Sequence, residues 1–211
     1  MKKIALLLSL LIFTATYAQK HEAFYKNGNP KETGKFKKGE PTGKWTYYFD
    51  NGKIESQGKF KKGVRTGTWS YFWRTGELYE QGDWVEGKEV GLWKGFHKDG
   101  SMSFEGNYED GLETGIWKFY HENGQVEQEG KYVVGEQTGI WKYYFDNGQL
   151  KKEGKWKNGH NDGLWKFFYE DGTPEKTGHW DEGIQSGMWT YYNEYGKLID
   201  KGNWTNGKQD G

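Results

Sequence analysis

Aromatic and glycine positions recur along the chain with a period of 24 residues: Gly43-Lys-Trp45, Gly67-Thr-Trp69, Gly91-Leu-Trp93, Gly115-Ile-Trp117, Gly139-Ile-Trp141, Gly163-Leu-Trp165 and Gly187-Met-Trp189 follow one another without an insertion. With each Gly numbered as position 1, the unit reads G-x-W-x-aromatic-aromatic-x-x-N/D-G-x-apolar-x-x-x-G-x-aromatic-x-x-G-x-x-x. One period back from Gly43 lies Gln19, so eight units run from Gln19 to Asp210. Asn51-Gly52, Asp99-Gly100, Asn123-Gly124, Asn147-Gly148 and Asp171-Gly172 at positions 9–10 predict two-residue hairpin turns, whose positive φ angles these residues tolerate. A second Gly at position 21 marks another tight reversal. Each unit is thus a β-hairpin. The predicted fold is all-β, an elongated single-layer antiparallel meander of tandem hairpin repeats with about sixteen short strands.

With positions 9–10 as the turn, position 4 faces 15, position 5 faces 14 and position 3 faces the Gly at 16. Lys94 then meets Glu105, Lys118 meets Glu129 and Lys142 meets Glu153, cross-strand pairs worth ~0.2–1 kcal/mol each. Where position 4 is Thr46 or Ser70, position 15 is Gln57 or Gln81. The unit opening at Gly91 has Gly95 in place of the position-5 aromatic, and it alone has an aromatic, Phe104, at position 14. An aromatic laid over a cross-strand glycine repairs a weak strand site. The Trp at 3 over the Gly at 16, and the aromatic at 18 over the Gly at 1, are expected to repeat that device in every unit. Strand alternation puts positions 3, 5, 7, 12 and 18 on one face, as in Trp45, Tyr47, Phe49, Ile54 and Phe60, with the position-6 aromatics and the Lys/Glu pairs on the other. A single sheet offers no second layer. Trp45, Trp69, Trp93, Trp117, Trp141, Trp165 and Trp189 must therefore stack on neighbouring repeats, which gives a quasi-one-dimensional rod. The first unit is degenerate, with His21 in the Trp place, Pro30 in its second strand and Lys35, Lys37 and Lys38 nearby, and reads as an N-terminal cap.

Ahead of the repeats, Met1-Lys2-Lys3, the apolar run Ile4 to Phe13 and Thr16-Tyr17-Ala18 have the form of a secretory signal peptide cleaved before Gln19. The run is too short for a spanning helix of ~20 residues. The expected organisation is a signal peptide at 1–18, a degenerate capping repeat at 19–42 and seven repeats at 43–211 in one continuous domain. The mature chain is expected to be exported: periplasmic, outer-surface or secreted.

Composition sharpens this picture. Only 33% of the 211 residues are hydrophobic, a range in which many chains cannot offset ordering entropy. Yet there are 12 Trp, 15 Tyr and 12 Phe, and one buried aromatic removes ~150–250 Å² from water. The chain folds on aromatics and glycine, not on an aliphatic core. Thirty basic residues against 30 acidic ones remove the simplest electrostatic case for nucleic acid or an anionic membrane. The lack of Cys excludes disulfides, thiolate metal sites and thiol nucleophiles.

Gly58-Lys-Phe-Lys-Lys-Gly63 followed by Thr66-Gly67-Thr-Trp69 resembles a MORN repeat. The longer spacing and the aromatic-aromatic-x-x-Asn-Gly segment are most similar to the bacterial MORN-repeat variant, often labelled antitoxin-like. The resemblance covers essentially all of 19–211. It implies a scaffold without a shared catalytic residue, and an exported chain would not meet a cytoplasmic toxin. The Gly-x-Trp-x-Tyr-Tyr core is also similar to cell-wall choline- or glucan-binding repeats, whose unit is shorter.

The candidate chemistry is sparse. His97 and His121 share position 7 in adjacent units, but two strand spacings, ~10 Å, are too far for one metal ion. The Asp50-Asn-Gly and Asp146-Asn-Gly turns lack the further carboxylates of a calcium loop, and no nucleophile elbow, phosphate loop or HExxH motif occurs. No catalytic residue, cofactor or metal site is expected. Positions 7 and 14 vary on a fixed scaffold, so Phe49, Trp73, His97, His121, Phe145 and Tyr169 form the candidate partner-binding stripe, with Gly95 and Phe104 structural. The leading reading is an exported, non-enzymatic scaffold binding a protein or envelope component. The alternatives are a glycan-binding aromatic module and an envelope lipid-binding rod.

Overall fold

A computed structural model of the chain describes residues 17–210; the expected signal segment falls mostly outside them. Among the described residues there is no helix. Seventeen strands form one open sheet, each paired antiparallel with its neighbour in the chain, from Gln19–Phe24 to Lys208–Gln209. The last of these is a two-residue return onto Trp204 and Thr205. The register matches the sequence reading: Lys94 pairs with Glu105, Lys118 with Glu129, Lys142 with Glu153, Thr46 with Gln57, and Gly95 with Phe104.

The turns divide the work differently from the expectation. At positions 8–10, Phe49 N–H donates to the Lys53 carbonyl at 2.8 Å and Gly52 N–H to the Phe49 carbonyl at 2.9 Å. Only Gly52 of these residues has positive φ, at 83°. This is a three-residue type I turn closed by a glycine bulge, not a two-residue turn. Asn51 stays out of the left-handed region because its Oδ1 accepts the Lys53 N–H at 3.0 Å. The two-residue turn is at positions 20–21, where both residues are left-handed, as in Lys62 (φ 51°) and Gly63 (φ 79°). Val134 occupies such a site at φ 52°, where a β-branched residue is strained. Val134 is 68% exposed, so Val134→Asn relieves strain and loses little packing. We expect urea denaturation to show a gain of about 1 kcal/mol.

A bulge opens every unit. Thr33 pairs with Thr46 and Lys35 with Thr42, so Gly34 alone faces Gly43, Lys44 and Trp45. Gly43 takes φ 69°, with open space where a Cβ would stand. The aromatic at 18 therefore does not lie over the Gly at 1. Phe60 is the register partner of Gly43, but its ring sits between Trp45 and Trp69, at 5.9 and 5.1 Å between centroids. The bulge lies next to the Lys35–Thr42 pair, and the Trp45 indole N–H donates to the Lys35 carbonyl at 3.2 Å. All seven position-3 tryptophans make this bond, at 3.2–3.3 Å.

Each tryptophan has a glycine on both sides, Trp165 pairing with Gly154 and with Gly178. Its ring leans over the glycine of the preceding unit. Trp45 covers Gly34, Trp69 covers Gly58 and Trp117 covers Gly106. The expectation that each ring covers the glycine of its own hairpin is corrected accordingly: the indole N–H reaches back to a carbonyl of the preceding unit. The tryptophans are at most 3% exposed. Between them the position-5 rings complete a continuous stack, Trp45–Tyr47–Trp69–Tyr71, with centroids 6.0–6.3 Å apart. Phe104 lies over Gly95, as expected. Over Gly202 lies the Gln209 side chain.

A second bulge follows position 5: Tyr47 pairs with Ser56 but Tyr48 with Ile54. This moves position 12 to the face of the position-6 aromatic, away from the Trp row where alternation had put it. Position 13 turns inward with position 14. On the outer face, Lys118 pairs with Glu129 at 3.6 Å, while Glu153 takes Lys166 of the next unit at 3.3 Å rather than Lys142. Tyr120 and Tyr144 donate to Glu105 and Glu129 at 2.8 and 3.0 Å. Burial, reinforced by these carboxylates, pushes both hydroxyls up to about 12, so they remain donors at neutral pH. In the first unit, His21 bonds Glu32 at 2.8 Å and packs on Trp45. Pro30 opens an internal strand, not the edge strand Gln19–Phe24, so the edge carries Lys20 and Glu22 rather than the proline.

Candidate binding groove

The inner face carries the Trp/Tyr stack and, beside it, positions 5, 7, 13 and 14. In the fifth to seventh units these positions line a groove of about 820 Å³, with His121, Phe145 and Tyr169 on one side and Gln128, Lys152 and Glu175 on the other. Half of the expected stripe is thus brought together with position 14. Phe49, Trp73 and His97 continue the row outside this groove.

Position 7 also has a structural duty that residue type had concealed. His97 donates to the Tyr120 carbonyl at 2.8 Å and His121 to that of Tyr144 at 3.1 Å. Tyr169 reaches Tyr192, Trp73 reaches Phe96 and Tyr25 reaches Tyr48, all at the position-6 carbonyl of the next unit. Tyr, Trp and His share little except a ring that ends in a donor, and the site selects for that. Phe49 and Phe145 lack the donor; cations cover their rings instead, Arg74 at 5.8 Å and Lys151 at 5.3 Å.

Position 14 is the freer of the two. Lys152 has its ammonium 4.2 Å from the Tyr143 ring centre and no carboxylate partner among the described residues. Burial, with Lys151 nearby, pushes its pKa down. Three repeats earlier, burial and Glu89 push Glu80 up at the same position. The groove itself is of mixed charge, since Glu127, Glu170 and Glu175 line it with Lys151 and Lys152. Position 13 enters the site only through the second bulge, which strand alternation does not reveal.

The inner rings present edges, not faces, because each stacked face is covered by the next ring. A sugar that stacks on aromatic faces finds none free in the Trp/Tyr row. The outer face has a different feature, a ladder of Leu92, Ile116, Ile140, Leu164 and Met188 at position 2, each 45–57% exposed. Its signal in the sequence was the apolar residue after Gly in every unit from Gly91 on. Among the described residues no cluster of His, Asp and Glu could hold a metal ion.

The model of one protein family, the MORN repeat variant, matches residues 41–62, 89–110, 113–133, 137–158 and 161–182. Each matched span is one hairpin, from the end of one left-handed turn to the start of the next. No curated protein matches the chain.

Proposed function

Since the chain belongs to the MORN repeat variant family, a family of repeat modules that bind proteins or membranes, we propose that it is an exported, non-enzymatic scaffold that holds a protein partner of the envelope in its inner groove. The observation that carries this reading is the convergence of the variable positions 7 and 14 on one groove over a fixed aromatic stack. A glycan reading keeps only the position-7 rings such as Trp73 and Phe49, because the faces of the Trp/Tyr row are occupied. A lipid-contact reading has one observation in its favour, the exposed aliphatic ladder on the outer face.

One experiment separates them. The 19–211 chain is used to capture partners from envelope extracts, with Gln128→Ala/Lys152→Ala as the groove variant and Ile116→Asp/Ile140→Asp as the ladder variant. Both pairs leave the position-7 bonds intact. We expect the groove variant to lose one defined protein partner about tenfold in affinity, and the ladder variant to keep it. Retention by the groove variant, or loss only in the ladder variant together with vesicle binding by the wild type, overturns the groove reading.

A further inference from the structure

The left-handed turns stack along one edge of the sheet. The N–H of Gly63 donates to the Pro41 carbonyl, that of Gly87 to Arg65 and that of Gly111 to Glu89, at 3.0–3.1 Å. In four consecutive turns, positions 19–20 read Lys37-Lys38, Lys61-Lys62, Val85-Glu86 and Glu109-Asp110. All eight side chains are exposed. At positions 19–20 the edge is therefore basic over two turns and acidic over the next two, while position 22 adds Glu40 to the first turn and Lys88 to the third. Exposed Val64 (43%) and Val85 (54%) lie where the sign changes.

These charges do little for the fold. Among the described residues, Lys37, Lys38, Lys61, Lys62, Glu86 and Glu109 form no ion pair, and Asp110 has only a 3.5 Å contact with exposed Lys88. Lys44 and Lys59 are direct register partners of like charge, an arrangement that destabilises a sheet. The balanced composition hides this separation: Lys35 to Arg65 contains nine basic and three acidic residues, and the chain beyond contains 16 and 25.

We propose that this turn edge pairs with the same edge of a second copy of the chain. The copies lie side by side and antiparallel, about a two-fold axis normal to the sheet and midway between the Lys62-Gly63 and Glu86-Gly87 turns. That operation sets Lys62 opposite the partner's Glu86, Lys38 opposite the partner's Asp110 and Lys37 opposite the partner's Glu109, and each again in reverse. The turn spacings match because both copies have one repeat length. Val64 and Val85 fall near the centre beside the two Lys62–Glu86 pairs, with Lys61 opposite the partner's Val85. A parallel arrangement would place lysine on lysine. A polyanion would engage the lysines and be repelled by the carboxylates of the next two turns. The inference is independent of the groove, which lies on the inner face.

The test is sedimentation velocity at low and high salt on three chains spanning 19–211: wild type, Lys38→Glu/Lys62→Glu and Glu86→Lys/Asp110→Lys. The wild type is expected to dimerise at low salt and to dissociate as salt rises. Each variant alone carries one sign at position 20 of all four turns and should self-associate about a hundredfold more weakly. Mixed in equal amounts, the two variants should form a heterodimer of near wild-type affinity. A monomeric wild type at low salt, a dimer insensitive to salt, or folded variants that self-associate as wild type would overturn the proposal. A monomeric wild type whose lysine edge binds polyphosphate would reassign the edge to anions. The salt titration of the wild type decides the matter even if a variant fails to fold.

Discussion

Gly106→Ala should cost about 3 kcal/mol of stability and Gly115→Ala only about 1 kcal/mol, although each adds one methyl group to one glycine. At Gly106 the new Cβ would overlap the ring of Trp117. That ring is 3% exposed, tied through its N–H to the Asn107 carbonyl at 3.2 Å, and held by Tyr108 and Tyr132 at 5.1 and 5.8 Å. It has nowhere to go. At Gly115 there is open space, and the cost is that of placing a side chain at φ 70°. Trp117→Ala removes the ring itself and should lose about 3–5 kcal/mol. In the double variant Gly106→Ala/Trp117→Ala the overlap is gone, so its loss should be well below the sum of the two. Urea denaturation of the four chains measures this. Equal losses at Gly106 and Gly115 would mean that the ring does not rest on the glycine of the preceding repeat.

The second large effect is expected at Phe104. Phe104→Ala should lose about 2–3 kcal/mol, more than Glu80→Ala, Gln128→Ala or Lys152→Ala at the same repeat position. Phe104 covers Gly95, stacks 5.7 Å from Trp117 and lies 6.2 Å from Phe119. Gly95→Tyr alone should also destabilise, because its Cβ meets the Phe104 ring. Together, Gly95→Tyr and Phe104→Ala recreate the pairing of an ordinary unit, such as Tyr47 with Ser56. The double variant should be more stable than either single one. Thermal unfolding gives the cycle directly, and additive losses would show that Phe104 and Gly95 do not share one site.

That pair was legible in the sequence because it depends on two local quantities, the length of the turn and the two-residue period of a strand. One exceptional unit then tested the register against itself. The same quantities determined the repeat, the hairpins and the Lys/Glu register, and the aromatic composition determined that the core would be a stack of rings. The tertiary structure decided whatever depends on a bulge or on reach between units. The bulge at Gly43-Lys44 lets the Trp45 indole N–H reach the Lys35 carbonyl of the preceding unit, and that bond, not the identity of Trp45, chose which glycine the ring covers. The bulge at Glu55 sent Ile54 outward and turned position 13 toward the groove. His97, Tyr169 and Trp73 looked like free variation because their common acceptor lies 23 residues further along the chain. Pattern within a strand says which residues can face one another. It does not say which carbonyls of a neighbouring unit a ring can reach, and those carbonyls direct the side chains here.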